Sequence, residues 1–257
     1  MPLGGALVRR LQSWGRMLRF AGFVVAATLS PSSYGAATRA TAVRQIYFTA
    51  WQILAPFLLF AVLAGFIVMQ ITLEVARQYG LAQYTLELVL RVLVLELIPL
   101  LTALFVALRS GGAIATEVAL MQISGDIEAL QAQGRDPLRR EFVPRVAGAA
   151  LSVFSLTVIS CALLIALAYP AIYGFSPWGF DEFTLAVGKV FDAPTLAGFG
   201  LKCVLFGVAV AVIPISAGLE ADRRRKSAPV AVLAGMVRLF FVLGLIEVAS
   251  LAASYIG

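Results

Sequence analysis

Charges are absent from long runs of this chain, and the lengths of those runs set the first expectation. From Ile46 to Leu73 no position is charged, and about 20 apolar residues suffice to cross the hydrocarbon core of a bilayer. Runs broken by few charges follow at Leu86 to Leu108, Val146 to Ile172, Thr195 to Leu219 and Pro229 to Ile256. The pattern predicts five transmembrane helices, with Pro56, Pro99 and Pro214 inside them, where neighbouring helices can satisfy the carbonyls that proline frees. Ahead of these spans, Leu7, Leu11, Trp14, Leu18, Ala21 and Val25 recur at helical spacing, with Arg9, Arg16 and Arg19 on the other side. That is the pattern of a helix lying in the membrane interface. The apolar run Phe20 to Leu29 behind Arg16 and Arg19 also imitates a signal peptide, the competing reading. The longer periodicity favours the interfacial helix.

Between spans two and three lies the longest polar internal stretch. Ile123, Ile127 and Leu130 recur three and four residues apart with Asp126 and Glu128 alongside, which predicts a short amphipathic helix from about Ile123 to Gly134. Gly134 supplies a stop, and Asp136-Pro137 a turn back towards the membrane. The expected fold is therefore all-α and membrane-embedded. It forms one membrane domain over residues 1–257, with 1–44 as the cytoplasmic or interfacial helix region and 45–257 as the five-span region.

Composition supports lipid as the main solvent, since 61% of the residues are hydrophobic and 13% charged. The net charge of +6 is spread over segments flanking apolar runs and forms no separate basic domain, which argues against nucleic-acid binding. Its distribution sets topology instead. Fifteen of the twenty basic residues fall before span one, between spans two and three, or between spans four and five, the last group being Arg223 to Lys226. Cytoplasmic segments retain such residues, so a multi-pass protein is expected with its N-terminus in the cytoplasm and its C-terminus outside. The opposite segment from Tyr173 to Phe191 is rich in aromatics, as expected at headgroup depth or at a docking surface for an outer partner.

Chemistry is narrowed by what the chain lacks. Histidine is absent, and the two cysteines, Cys161 and Cys203, lie inside apolar runs, which removes the histidine-based triads, the usual zinc motifs and a disulfide framework. No Gly-x-x-x-x-Gly-Lys-[Ser/Thr] loop occurs, so the chain cannot hold ATP in that manner. A non-catalytic membrane subunit is expected, without a cofactor of its own.

Several motifs then occur in a fixed order: Glu96-Leu97-Ile98-Pro99, Arg109-Ser110-Gly111, Glu117, Met121, Ala129-Leu130, Gly134 with Asp136 to Arg139, and Pro144-Arg145. Lys202 with Phe206-Gly207, and Gly218 with Ala221, follow in and after span four. In this order and spacing the chain resembles the MlaE/YrbE permease family over nearly its whole length. It departs from the family pattern at Leu95, at Ile98 and in the basic run 223–226. The resemblance implies a homodimer resting on two ATPase subunits that bind ATP and Mg. It also implies a periplasmic MCE-domain protein as outer partner, phospholipid as cargo, and room for a small cytoplasmic regulatory subunit. Ile123, Ile127, Glu128, Leu130 and Gly134 would then belong to the helix that couples to the ATPase.

Charges inside spans are expensive, by roughly 3 kcal/mol or more at the bilayer centre. Glu96 and Lys202, which match family motif positions, are expected to line the lipid cavity, with a plain structural ion pair as the alternative. Glu87 and Arg91 are spaced for a local pair near the outer surface, while Arg238 and Glu247 in span five have no assigned role. The competing function is a secondary transporter or channel without an ATPase. That class usually shows inverted repeats, and five spans do not divide into two equal halves.

Overall fold

The structure, a computed structural model, describes residues 3–30, 43, 47, 52–221 and 228–256. Every regular element among the described residues is helical. They are α1 (Leu3–Leu29), α2 (Gln52–Gln78), α3 (Thr85–Ser124), α4 (Asp126–Ala132), α5 (Leu138–Tyr173), α6 (Phe180–Val190), α7 (Ala193–Leu219) and α8 (Ala228–Ile256). Five of these, α2, α3, α5, α7 and α8, are long and apolar enough to cross a membrane. The chain is an all-α, multi-pass membrane protein, as the hydropathy pattern predicts. The beginning of the expected first span at Ile46 and the basic run 223–226 lie outside the described residues.

Two spans run well past their expected ends. Helix α3 has 40 residues, about 60 Å at 1.5 Å per residue, twice the thickness of a bilayer core of about 30 Å. The polar stretch from Arg109 to Glu117 continues the helix as a rod beyond the membrane, where the hydropathy pattern had ended the span. Two π-helical segments, Val89–Leu97 and Ala107–Gly111, interrupt α3. The first precedes Pro99, whose ring would clash with the carbonyl four residues back in a regular helix. Widening the turn relieves that clash, and the Ile98 N–H donates to the Leu93 carbonyl, five residues back. A third π segment, Leu138–Phe142, opens α5 just before Pro144.

Helix α7 is the centre of the bundle, packed between α3, α5 and α8. Gly207 makes its closest approach possible: a Cβ there would stand 2.4 Å from the Ala150 Cα of α5. Gly218 plays the same part against the Ala115 carbonyl of α3, at 2.8 Å. Small residues at helix crossings are what membrane packing requires, because lipid supplies no hydrophobic drive between helices. Side-chain hydroxyls inside spans turn back on their own helix, as Thr102 does to the Ile98 carbonyl at 2.8 Å and Thr157 to that of Val153 at 2.8 Å.

The core forms three tiers. Phe57, Val106, Leu156, Phe206, Leu239 and Leu243 fill the middle. Leu90, Leu93, Leu164 and Val190 fill the tier next to α6, and Val24, Ile114, Ile127, Phe142 and Ile215 the tier next to α4. Helix α1 joins this last tier and the middle one by burying Met17 and Val24, while Leu18, Phe23 and Leu29 stay exposed. It is one helix of 27 residues that packs against α5 and α7.

Candidate functional site

Three charged side chains meet inside the bundle. Glu96 lies eleven residues from the start of α3, Lys202 nine from the start of α7, and Glu247 nine before the end of α8. At 1.5 Å per residue each is about 14–17 Å from helix ends that share the α6 side, near the middle of the membrane core. Lys202 is 3% exposed; its Nζ donates to Glu96 Oε2 and stands 3.5 Å from Glu247 Oε2. Glu96, in the widened turn before Pro99, keeps 20% of its side chain exposed. π turns recur at functional sites because the extra residue re-aims the side chains that follow.

Two carboxylates face one ammonium, and Glu247 Oε2 is buried without a hydrogen-bond partner. A lysine alone at this depth would be costly, so the carboxylates are what permit it. With Glu96 open on one edge, the cluster offers acceptors, and behind them a cation, to a charged or zwitterionic group entering from lipid.

A second cluster stands at the α4 end. Arg145, 8% exposed, binds Glu117 at 2.7 Å and Glu141 at 3.3 Å, and also donates to the Glu141 backbone carbonyl at 3.3 Å. It ties the protruding part of α3 to the start of α5, on either side of α4. Nearby, Glu220 at the end of α7 accepts from Arg238 at 3.0 Å and lies 3.7 Å from Arg16 of α1. At the opposite end, Arg91 and Glu87 form the expected local pair at 3.0 Å.

The helix expected from Ile123 to Gly134 is divided. Gly125, with φ of 90°, ends α3 and begins α4 at Asp126, a left-handed conformation that glycine adopts without strain. Ile123 therefore belongs to the last turn of α3. Within α4, Ile127 is buried in the tier with Val118 and Phe142, whereas Glu128, Ala129 and Gln131 are exposed and Leu130 is half-buried. Gly134, with φ of 70°, turns the chain towards α5. The apolar stripe that marks this helix in the sequence is thus spent partly on the protein's own core, and the face left for a partner is the polar one.

The structure joins Glu96 and Lys202, the pair brought forward by the family resemblance. The sequence does not single out Glu247, the third member, or Arg145, the hub of the second cluster. The signal for Glu247 was its depth: counted from the α6-side ends, it matches Glu96 and Lys202. An apolar pocket of about 390 Å³, lined by Thr116, Pro229, Val232, Leu233 and Met236, opens between α3 and α8. Met236 is eleven residues from Glu247 along α8, about 16 Å away along the axis, so the pocket is separate from the charged cluster.

A family model described as Permease MlaE matches residues 42–252. The chain belongs to the MlaE permease family. Among relatives, it is 31% identical over 188 residues to a probable ABC transporter permease protein of Synechocystis, covering 69% of this chain and 70% of that protein. It is 29% identical over 140 residues to the intermembrane phospholipid transport system permease protein MlaE of Haemophilus influenzae, 52% of each chain. Similarity at 29% over 127 residues extends to the chloroplastic protein TRIGALACTOSYLDIACYLGLYCEROL 1 of Arabidopsis thaliana, covering 48% of this chain and 35% of that one. The chain thus spans about half the length of the Haemophilus relative and about a third of the Arabidopsis one. All the described residues of the charged cluster fall inside the MlaE match.

Proposed function

We propose that this chain is the membrane permease of an ABC transporter that moves phospholipid between the bacterial inner membrane and a periplasmic MCE-domain protein. The observation that carries this reading is a charged cluster at mid-membrane depth, partly open on Glu96, in a chain of the MlaE family whose Haemophilus relative is named for phospholipid transport. Two copies would form the lipid path, with Glu96 and Lys202 lining its polar centre. ATP would be hydrolysed by two separate ATPase subunits on the cytoplasmic side. There the exposed face of α4 and the end of α3 would dock, with Ile123, Ile127, Glu128, Leu130 and Gly134 shaping the contact from within or at its surface.

Positive charge supports the orientation: the segments at the α4 end carry most of the basic residues, which favours a cytoplasmic α4 end and a periplasmic α6 end. ATPase closure would push on α4, and the Arg145 clamp would pass the displacement to α3 and α5 together, the helices that flank the path. The test is to purify the tagged chain from its native membrane and to reconstitute what comes with it. Co-purification of an ATPase, and phospholipid transfer that stops without ATP, support the proposal. Transfer by this chain alone without nucleotide would place it with secondary transporters.

A further inference from the structure

The turn joining α5 to α6 exposes two large aromatic rings almost completely, Phe175 at 97% and Trp178 at 92%. Their exposure does not come from a slack loop. Gly174 turns the chain with φ of 67°, and the Tyr169 hydroxyl donates to the Ser176 carbonyl. The Tyr169 ring meets Phe180 at 6.1 Å and Phe183 at 5.3 Å, edge to face in both cases. Gly179 lies so close to the Tyr173 ring that a Cβ would come within 2.4 Å of it. The turn is thus pinned from beneath by Tyr169, Tyr173 and Phe183, and its outer rings stay exposed.

Its place in the fold fixes what those rings meet. Phe175 follows the last residue of one membrane-spanning helix by two positions, and α7, the next span, begins at Ala193. The turn therefore stands where the hydrocarbon core gives way to headgroups, the depth at which Trp and other aromatics are enriched. Helix α6 carries exposed Leu185 and buries Val190 on the bundle. We propose that Phe175 and Trp178, with Phe180 and Leu185, form a docking surface for the phospholipid interface of the adjoining leaflet, anchoring the α5–α6 turn in it. Over residues 174–192 the charged side chains are Asp181, Glu182 and Asp192 against Lys189, so attraction to anionic lipid plays no part. The anchor is apolar and aromatic, and it holds in zwitterionic vesicles at high salt.

A nitroxide label at Phe175→Cys in the full chain, reconstituted in phosphatidylcholine vesicles, reads the depth by its collisions with oxygen and with a water-soluble nickel chelate. The native Cys161 and Cys203 are buried and do not compete for label. Quenching of fluorescence by lipids brominated at shallow acyl positions provides a second reading, taken as the difference between the native chain and Trp178→Phe. The label is expected about 5–10 Å below the phosphates, with Trp178 strongly quenched and both results unchanged between low and high salt. A label open to the nickel chelate and a Trp178 that brominated lipid does not quench would overturn the proposal. Protection from both reagents would overturn it in favour of a protein cover, whether a second copy or an outer partner.

Discussion

Lys202 and Arg145 each sit nearly buried between two glutamates, yet one cluster lies at mid-membrane depth and the other stands where the bundle emerges from it. Around Lys202 the partners come from α3 and α8, with Glu96 20% and Glu247 11% exposed. Around Arg145, Glu141 lies one helical turn away and Glu117 is 59% exposed. The same count of charges therefore does different work. At mid-depth, removing the cation strands two carboxylates in a medium that cannot solvate them. At the α4 end the carboxylates rehydrate when released, so that cluster acts as a strut between α3 and α5 and costs little to build.

The sharpest way to break this comparison is a matched pair of substitutions. Lys202→Met is expected to cost about 3–5 kcal/mol, because both glutamates lose their counter-charge; Arg145→Met is expected to cost about 1–2 kcal/mol. Thermal unfolding in matched detergent compares them, and equal losses would show that burial depth does not set the difference. Next in size is Gly207→Ala, whose added methyl meets the Ala150 backbone. It should cost about 1–3 kcal/mol by forcing α5 and α7 apart, and it should also loosen the Lys202 cluster carried on α7. A Gly207→Ala protein as stable as the native one would contradict the close packing described here.

The smallest effect concerns Asp192, which caps α7 by accepting from the Thr195 N–H at 2.9 Å. Hydrogen bonds from Thr195 hold its carboxyl below the ordinary carboxylate range. A group depressed in the folded state stabilises above its unfolded pKa, about 3.9, and loses that contribution as pH falls through the folded value. The difference in melting temperature between native and Asp192→Ala proteins should be constant from pH 5 to 8 and shrink below about pH 4. A gap that widens in acid would refute this assignment.

Sequence pattern was sufficient for the architecture because lipid imposes a length and a polarity on every span, and both are visible residue by residue. It placed the interior of all five spans, while Glu96 and Lys202 came forward together because both match motif positions of the family the chain resembles. Where it fell short, geometry beyond the local repeat decided. The extension of α3 past Arg109 was hidden because charged residues end a hydropathy run without ending a helix. The break at Gly125 was hidden because Ile123, Ile127 and Leu130 keep their spacing across it. Glu247 could be joined to the others only by counting depth from three different helix ends, and Arg145 only by knowing that α3 and α5 meet beyond the membrane.

The central claim is that the mid-membrane cluster serves lipid and not the fold alone, and Glu96 separates the two roles. Replacing Glu96 with Gln leaves Lys202 its contact with Glu247, so the fold keeps its counter-charge while the open edge of the cluster loses its own. Bound phospholipid per complex, counted by native mass spectrometry at matched purity alongside the melting temperature, is the direct measurement. The account predicts that Glu96→Gln melts within a few degrees of the native complex and carries several-fold less phospholipid. Unchanged phospholipid together with a large drop in melting temperature would return Glu96 and Lys202 to a purely structural pair.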